Sequence, residues 1–169
     1  MERVSGLVCS ICGAVLKPSE TEYICPHSHP NPGNLTVELD AAKVRAFIEE
    51  DEKNRTTWPE WVGMWRYRAF LPVELRDVAQ VAGLPVGNTP LLAAPELAAE
   101  LGLKEVWVKD DGRNPSASLK DRASSLVALK AKQEGRAIVA TASTGNAAAA
   151  LSGVCASLKQ PCIIFVPHT

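Results

Sequence analysis

The sequence lacks the features that mark several large classes of protein. Among its 169 residues, no apolar run approaches the roughly 20 residues that a membrane-spanning helix needs. The first residues lead into no long apolar stretch, so a secretory signal is not indicated. Eighteen basic residues are balanced by 19 acidic ones, and the net charge of −1 gives no electrostatic reason to expect nucleic acid as a partner. We therefore expect a cytoplasmic globular protein with neither a membrane nor a nucleic-acid partner.

Cysteines are few and unevenly placed, and their pattern argues against a disulfide framework. Of the five, Cys9, Cys12 and Cys25 lie near the N-terminus, whereas Cys155 and Cys162 lie in apolar, alanine-rich surroundings. Because no export signal is present, disulfides are not expected. The pattern predicts one metal site and two buried, inert thiols.

The N-terminal cysteines have the spacing of a zinc knuckle but are one ligand short. Cys9 and Cys12 form a Cys-x-x-Cys pair, and Cys25 follows later in the chain. A structural zinc ion needs a fourth ligand, and imidazole suits it. His27 is therefore predicted to complete the site, with His29 as the alternative. Since so short a segment cannot bury a core, a bound metal would be structural. A ribbon that has lost its metal is the competing interpretation.

Composition divides the chain into three stretches. Residues 1–40 are predicted to form a zinc-ribbon-like segment with a short strand at 35–39. Residues 41–80 are predicted to form a helical, Trp-rich connector that begins with a charged helix at 41–54. From residue 81 to 169 the pattern changes to that of an α/β domain.

Three tryptophans of the connector, Trp58, Trp61 and Trp65, fall within eight positions. We expect their rings to be buried against a neighbouring domain. Rings that stack on bases or sugars are the alternative, but that kind of binding needs a wider basic groove than Arg66 and Arg68 provide.

The third stretch predicts strands that alternate with helices. Apolar strands are predicted at 106–108, 137–141 and 162–166, and helices at 118–133 and 146–159. This alternation is typical of a parallel α/β sheet with helices on both faces. Because the sequence stops directly after a core strand, we expect an incomplete sheet, which a longer chain or a partner would complete.

Lys120 lies where a helix usually avoids cations. Ser118 is predicted as the N-cap, and Asp121, three positions on, completes a capping box. Lys120 and Arg122 then occupy the first turn, where the helix dipole disfavours a positive charge by roughly 0.3–1 kcal/mol. This conflict indicates a task for the amine: positive surroundings and burial would keep it neutral and able to attack a carbonyl carbon. The alternative is an exposed lysine with a snorkelling stem.

A second polar turn follows the next predicted strand and consists of Ser143, Thr144, Gly145 and Asn146. Backbone N–H groups at a helix N-terminus bind carboxylate or phosphate, and ligands of parallel sheets bind at the carboxyl ends of the strands. Since this turn and the Lys120 segment both follow predicted strands, we expect them to face one cleft. A Rossmann nucleotide site is not indicated, because the sequence contains no Gly-x-Gly-x-x-Gly run.

These segments together resemble a known enzyme family. Residues 109–122 (KDDGRNPSASLKDR) resemble the cofactor-lysine segment of the threonine synthase-like, fold-type II pyridoxal-phosphate enzymes. Residues 87–91 (GNTPL) resemble the segment that precedes it, and residues 143–146 (STGN) resemble the family's substrate-and-cofactor loop. Residues 65–68 (WRYR) resemble the approach segment of members with a Cys-rich N-terminus. The resemblance covers essentially the whole chain.

The resemblance implies a role for each polar residue. Lys120 would bind pyridoxal phosphate covalently and then serve as general base on the substrate's carbons. Asn146 would hydrogen-bond the cofactor's ring hydroxyl, while Ser143, Thr144 and Gly145 would bind the substrate carboxylate. The implied reaction turns a small amino-acid substrate, O-phosphohomoserine, and water into threonine and phosphate. A homodimer is implied for the full-length protein. Because the family's glycine-rich phosphate loop lies outside residues 1–169, this stretch alone is expected to be inactive.

Four positions depart from the family pattern. Ala117 stands where glycine is usual, Leu119 where phenylalanine is common, Val86 where an acidic residue is usual, and Ser28 where a second Cys-x-x-Cys is expected. These departures leave the cofactor chemistry in place but leave the substrate open. The alternatives are a threonine or serine ammonia-lyase, a cysteate- or diaminopropionate-type enzyme, or a non-catalytic zinc-ribbon binding module.

Overall fold

The computed structural model describes residues 3–21, 23–54, 59–81 and 83–168. The chain divides into two compact units, one drawn from residues 1–57 and 67–74 and the other from 58–66 and 75–169. Within the described ranges, none of the helices has the length and apolar character needed to cross a membrane.

The first unit consists of a small antiparallel sheet followed by a helix. Its sheet has three strands, with β1 in the centre. The helix begins after Asp40, whose carboxylate accepts hydrogen bonds from the N–H groups of Ala42 and Lys43, an ordinary side-chain N-cap. The predicted strand at 35–39 and the predicted helix at 41–54 are confirmed. The elements are β1 (Val4–Cys9), β2 (Val15–Leu16), β3 (Leu35–Leu39) and α1 (Ala41–Lys53).

The second unit contains two separate pairs of strands within the described residues. In the first pair the strands are antiparallel; in the second they are parallel, with Val139 opposite Cys162. The parallel pair and the helix between its strands confirm the predicted βαβ arrangement. The elements are β4 (Leu91–Ala93), α2 (Pro95–Glu100), β5 (Trp107–Lys109), α3 (Lys120–Gln133), β6 (Val139–Ala142), α4 (Asn146–Leu158) and β7 (Cys162–Phe165), with 3₁₀ segments at Glu60–Phe70, Val78–Val81 and Asp111–Arg113.

The expectation that β5 belongs to the parallel sheet is wrong. It pairs antiparallel with β4, a strand that the sequence pattern did not predict. The pairing continues beyond both strands, because Asp110 donates its N–H to the Pro90 carbonyl at 3.0 Å and Ala94 donates to the Val106 carbonyl at 2.9 Å. The short helix α2 turns the chain back, so the partner of β5 is its immediate predecessor.

Helices α3 and α4 pack against each other and end at the same side of the parallel pair. At these ends, the Lys132 Nζ donates to the Leu158 carbonyl at 3.0 Å, and the Gln160 amide donates to the Arg136 carbonyl at 2.8 Å. Since α4 starts directly after β6, it runs from the carboxyl end of that strand back to the amino end of β7. The polar turn at 143–146 therefore lies at a strand's carboxyl end, as predicted.

One predicted ring of the connector is buried in the second unit. Trp65 has no exposed surface, and its indole N–H donates to the Leu84 carbonyl at 3.0 Å. The burial expected of this residue is confirmed. Trp58 and the side chain of Trp61 lie outside the described residues.

Helix α3 begins two residues later than predicted, and the expected capping box is wrong. Ser118 does accept a hydrogen bond, from the Lys120 N–H at 3.1 Å, but the carboxylate of Asp121 accepts from the N–H and the hydroxyl of Ser116, both at 2.7 Å. The cause lies at Ala117, whose φ of +56° turns the chain in the left-handed sense. This conformation favours glycine, the residue that is usual there in the family resemblance.

Replacing Ala117 by glycine is expected to stabilise the protein. A left-handed conformation costs a residue with a Cβ about 1–2 kcal/mol, and the greater freedom of glycine in the unfolded chain returns part of that gain. Urea unfolding of Ala117→Gly should therefore show a free energy of unfolding about 0.5–1 kcal/mol higher. Ala123, exposed in α3, is the matched control, because the same change there should destabilise by up to about 1 kcal/mol. Losses of equal size at both positions would contradict the strain at residue 117.

Candidate functional site

Lys120 is the first residue of α3, and its side chain is exposed. The predicted burial of this amine is not observed. The reason is the helix period: the buried face of α3 carries Asp121, Ser125 and Ala128, and Lys120 projects beside that face rather than within it. The amine is therefore accessible to a small molecule from solution.

The second polar turn is also open. Ser143 is half-buried and its hydroxyl accepts the Gly145 N–H at 3.2 Å, while Thr144, Gly145 and Asn146 are exposed. Helix α4 begins at Asn146 without a side-chain cap, so its first N–H groups have no partner within the helix. A Cβ built on Gly145 would meet no atom within 4 Å, so the space in front of this turn is free. Such a turn can accept a carboxylate or a phosphate.

The structure places Lys120 and the 143–146 turn in the same unit, at the starts of two helices that pack together. In the described part of the chain, no hydrogen bond joins Lys120 to that turn. The two groups are instead both free to contact a third molecule.

A network of hydrogen bonds and one ion pair joins the start of α3 to the loops that precede it. The Arg122 guanidinium donates two hydrogen bonds to the Asp111 carboxylate, from Nε to Oδ2 at 2.9 Å and from Nη2 to Oδ1 at 2.7 Å. The Thr89 hydroxyl donates to the same carboxylate at 2.7 Å and accepts from Arg122 at 3.3 Å. Paired bonds of this kind are strong and fix orientation. Sequence reasoning missed this network, since residues far apart in an irregular segment carry no periodic signal.

Asn114 joins the two loops of this network. Its side-chain oxygen accepts the Gly87 N–H at 2.9 Å, and its amide nitrogen donates to the Asp111 carbonyl at 2.9 Å. Gly87 has a φ of +88°, and a Cβ there would lie 2.8 Å from the Met64 nitrogen and 2.9 Å from Nη1 of Arg122. Only glycine therefore lets the loop at 87–89 lie so close to the guanidinium.

The charge pairing shifts the pKa values of both partners. The hydrogen bond from Arg122, followed by the one from Thr89, lowers the pKa of Asp111 to about 2. The same carboxylate raises the pKa of the Arg122 guanidinium. Arg122, which looked like a second misplaced cation in the first turn, is thus neutralised by Asp111.

Stability is expected to fall when Asp111 is protonated. Its folded-state pKa of about 2 lies below the value of about 3.9 of an unfolded chain, so the carboxylate stabilises the fold above that pH and loses this effect between about pH 4 and about pH 2. Urea unfolding should show that Asp111→Asn costs about 2 kcal/mol at neutral pH and progressively less in acid. Glu100→Gln, on an exposed residue, is the control and should change little at any pH. If Asp111→Asn lowered the free energy of unfolding by the same amount at about pH 2 as at neutral pH, the lowered pKa of Asp111 would be contradicted.

Three thiols and one imidazole converge in the first unit. The ligand atoms of Cys9, Cys12, Cys25 and His29 all lie within 4.8 Å of one another. The sulfurs of Cys12 and Cys25 are 3.9 Å apart, and Nε2 of His29 is 3.6 Å from the sulfur of Cys9. Tetrahedral zinc with bonds of about 2.3 Å to sulfur would separate two sulfurs by about 3.8 Å. The set therefore has the size and the chemistry of a structural zinc site.

Of the two candidate histidines, the geometry favours His29. His29 is half-buried within the set, whereas His27 is exposed and its Nδ1 lies 3.6 Å from the sulfur of Cys12. Gly33 makes the close approach possible, because a Cβ at this position would lie 2.7 Å from the sulfur of Cys9 and 3.0 Å from the His29 ring. The set thus contains His29, the alternative, and not His27, the predicted fourth ligand.

The surroundings of Cys9 favour the thiolate, which is the metal-binding form of cysteine. Hydrogen bonds from backbone N–H groups, first that of Cys12, lower the pKa of Cys9 to about 6. Burial instead raises the pKa of Cys25.

Of the two cysteines predicted to be buried and inert, Cys155 is fully buried, which confirms its predicted burial, and burial raises its pKa to about 11. Cys162, the first residue of β7, is only half-buried, so its predicted burial is wrong.

Comparison with known proteins adds a family and a set of relatives. The sequence profile of a family described as pyridoxal-phosphate dependent enzyme matches residues 83–169. The chain is 33% identical over 160 residues to a threonine synthase of Methanocaldococcus jannaschii, a match that covers 95% of this chain and 37% of the relative. A threonine synthase of Methanosarcina acetivorans is 35% identical over 161 residues, with 95% and 36% covered. One from Synechocystis is 39% identical over 109 residues, with 63% and 28% covered. The chain thus spans little more than a third of the first two relatives.

Proposed function

Since this chain belongs to the family of pyridoxal-phosphate dependent enzymes, we propose that it carries the lysine side of a threonine synthase active site. The reaction proposed is the conversion of O-phosphohomoserine and water to threonine and phosphate. The observation that carries the proposal is the alignment of 95% of the chain with named threonine synthases. The exposed lysine at the start of α3 supports it, because that position matches the family's cofactor-lysine segment.

The residues present fit pyridoxal phosphate. Lys120 offers an accessible primary amine, which can react with the aldehyde, and Asn146 offers an exposed amide for the ring hydroxyl. The uncapped start of α4 and the open space at Gly145 leave room for an anionic group. When bound, the cofactor supplies an electron sink for chemistry at the substrate's carbons.

The chain's own residues then have separate tasks. Ser143, Thr144 and the N–H of Gly145, together with the free N–H groups of α4, bind and orient the substrate carboxylate. The Lys120 amine accepts a proton from one substrate carbon and returns it to another, which is general acid–base catalysis by a positioned group.

Further parts of the proposal concern the whole protein. We propose that residues 1–169 alone bind the cofactor poorly and form no product, because they hold no glycine-rich loop for the cofactor phosphate. The active protein is proposed to be a cytoplasmic homodimer that acts on a small amino acid, with no nucleic-acid or membrane partner.

A structural zinc ion belongs to the same proposal. Cys9, Cys12, Cys25 and His29 supply four protein ligands, so no position remains for a reacting water. The metal would therefore stabilise the first unit rather than take part in the reaction.

Cofactor trapping and product analysis test the function. The protein encoded by the complete gene is incubated with pyridoxal phosphate, reduced with borohydride and digested, and the labelled peptide is identified. The label is expected on Lys120, and threonine is expected from O-phosphohomoserine. A label on another lysine would contradict the role of Lys120. A label on Lys120 with turnover of serine or threonine, and none of O-phosphohomoserine, would contradict the substrate.

A further inference from the structure

We propose that Arg122 is a positioning residue for Lys120, which it holds through Asp111 and Thr89. The inference rests on the proposed function, in which the Lys120 amine binds the cofactor. It assigns to Arg122, whose guanidinium is bonded to Asp111, the task of fixing where that amine lies.

The placement of the two residues on α3 supports this role. At about 3.6 residues per turn, side chains two positions apart point to nearly opposite sides of a helix. Arg122 is bound on one side of the first turn by Asp111, and Lys120 projects on the other side. We call the bonds that join Arg122 to Asp111 and Thr89 the Asp111–Arg122 clamp. Because this clamp holds Arg122 on one side of the helix, it fixes the rotation of the first turn without covering the Lys120 amine.

The form of the clamp indicates orientation rather than mere charge pairing. A planar guanidinium that makes two parallel bonds to one carboxylate has a fixed angle to it, which a lysine ammonium cannot reproduce. Thr89 is only 5% exposed and binds both partners, so solvent does not loosen the contact from that side. Gly87 admits the guanidinium by lacking a Cβ.

Helix α3 is also held by a second group of hydrogen bonds, which does not involve Arg122. Asp121, 1% exposed, binds the N–H and the hydroxyl of Ser116 and so ties α3 to the residues just before it. That bond is local in sequence and is expected to preserve the helix when the clamp is lost. Arg122, in contrast, reaches from α3 to Thr89 in the loop at 87–89, and loss of this contact should misplace the amine while leaving the fold in place.

The test measures the rate of covalent capture separately from cofactor affinity. The protein encoded by the complete gene is mixed with increasing pyridoxal phosphate, reduced with borohydride at set times, and the label on Lys120 is quantified. For Arg122→Lys, the capture rate at saturation is expected to fall at least about tenfold, since small misplacements of a reacting group have large effects. The half-saturating concentration is expected to change less than about twofold, because the polar groups of Arg122, Asp111 and Thr89 are already bonded to one another.

Two matched comparisons accompany this variant. Arg136→Lys makes the same change on an exposed ion pair at the far end of α3 and should leave the capture rate unchanged. Thr89→Val removes the hydroxyl at constant shape, and Thr89→Ser restores it. The valine variant is expected to lose rate and the serine variant to retain it, and this pair decides the question if Arg122→Lys does not fold.

The outcomes separate the inference from the function on which it rests. If the unaltered protein is not labelled at Lys120, the proposed function fails. If it is labelled there and Arg122→Lys and Thr89→Val capture cofactor as fast, only the inference is overturned. A parallel loss of rate and affinity in these variants would also overturn it, because that result indicates general disruption.

Discussion

Replacing Lys120 by arginine is expected to lower the rate of threonine formation by at least about 1,000-fold. Arginine keeps the length and the positive charge of the side chain, but its guanidinium stays protonated in proteins. It can therefore neither attack an aldehyde nor accept a proton from the substrate. Steady-state assays with O-phosphohomoserine and borohydride trapping measure the two losses separately.

The control for this variant is the same change at Lys104, an exposed lysine of the second unit. Lys104→Arg should keep both activity and label, since nothing in the proposed mechanism uses that residue. Full activity in Lys120→Arg would refute the assignment of the amine, whatever family the chain belongs to. If the Lys120→Arg variant lost activity but its protein still became labelled, another lysine would hold the cofactor.

Removing the proposed zinc ion is expected to unfold the cysteine-bearing segment of the first unit. Structural zinc sites in small peptides contribute on the order of 10 kcal/mol at neutral pH, far more than so small a sheet can supply from its own core. Metal analysis of protein purified without chelator should find about one equivalent of zinc. Chelation should then lower the melting temperature and increase amide exchange in β1 to β3.

The two histidines provide a matched pair for the ligand assignment. His29→Ala is expected to weaken zinc binding at least about 100-fold, whereas His27→Ala should weaken it less than about tenfold, as loss of a group outside the ligand set. Competition with a chromophoric chelator measures both affinities. Equal losses, or a larger one at His27, would reverse the choice between them. Less than about a third of an equivalent of zinc in the unaltered protein would end the proposal.

Local sequence patterns predicted the helices α1, α3 and α4 and the strands β3, β6 and β7 well. The apolar spacing of α1 and the continuous apolar run of β7 each depend on residues close together in the chain. Short-range physics decides such elements, so their bounds follow from the sequence to within a few residues.

Contacts between distant residues were not predictable in the same way. The strand β4 is short and exposed, and its pairing with β5 depends on where α2 returns the chain. The Asp111–Arg122 clamp depends on the loop conformation between them, which includes a left-handed Ala117 that composition does not indicate. For the same reason the sequence predicted the three cysteines of the candidate metal site but favoured His27, whereas the structure brings His29 into the set.

The family profile starts at residue 83, but the folding unit that contains it does not. Residues 58–66 belong to that unit, and they bring to it the fully buried Val62 and Trp65. A truncated protein cut to the family boundary would have an empty space in its interior and an orphaned carbonyl at Leu84. Expression of the family-matched part by itself should therefore begin upstream of the tryptophans, since a protein that starts at residue 83 would lack the packing of Val62 and Trp65.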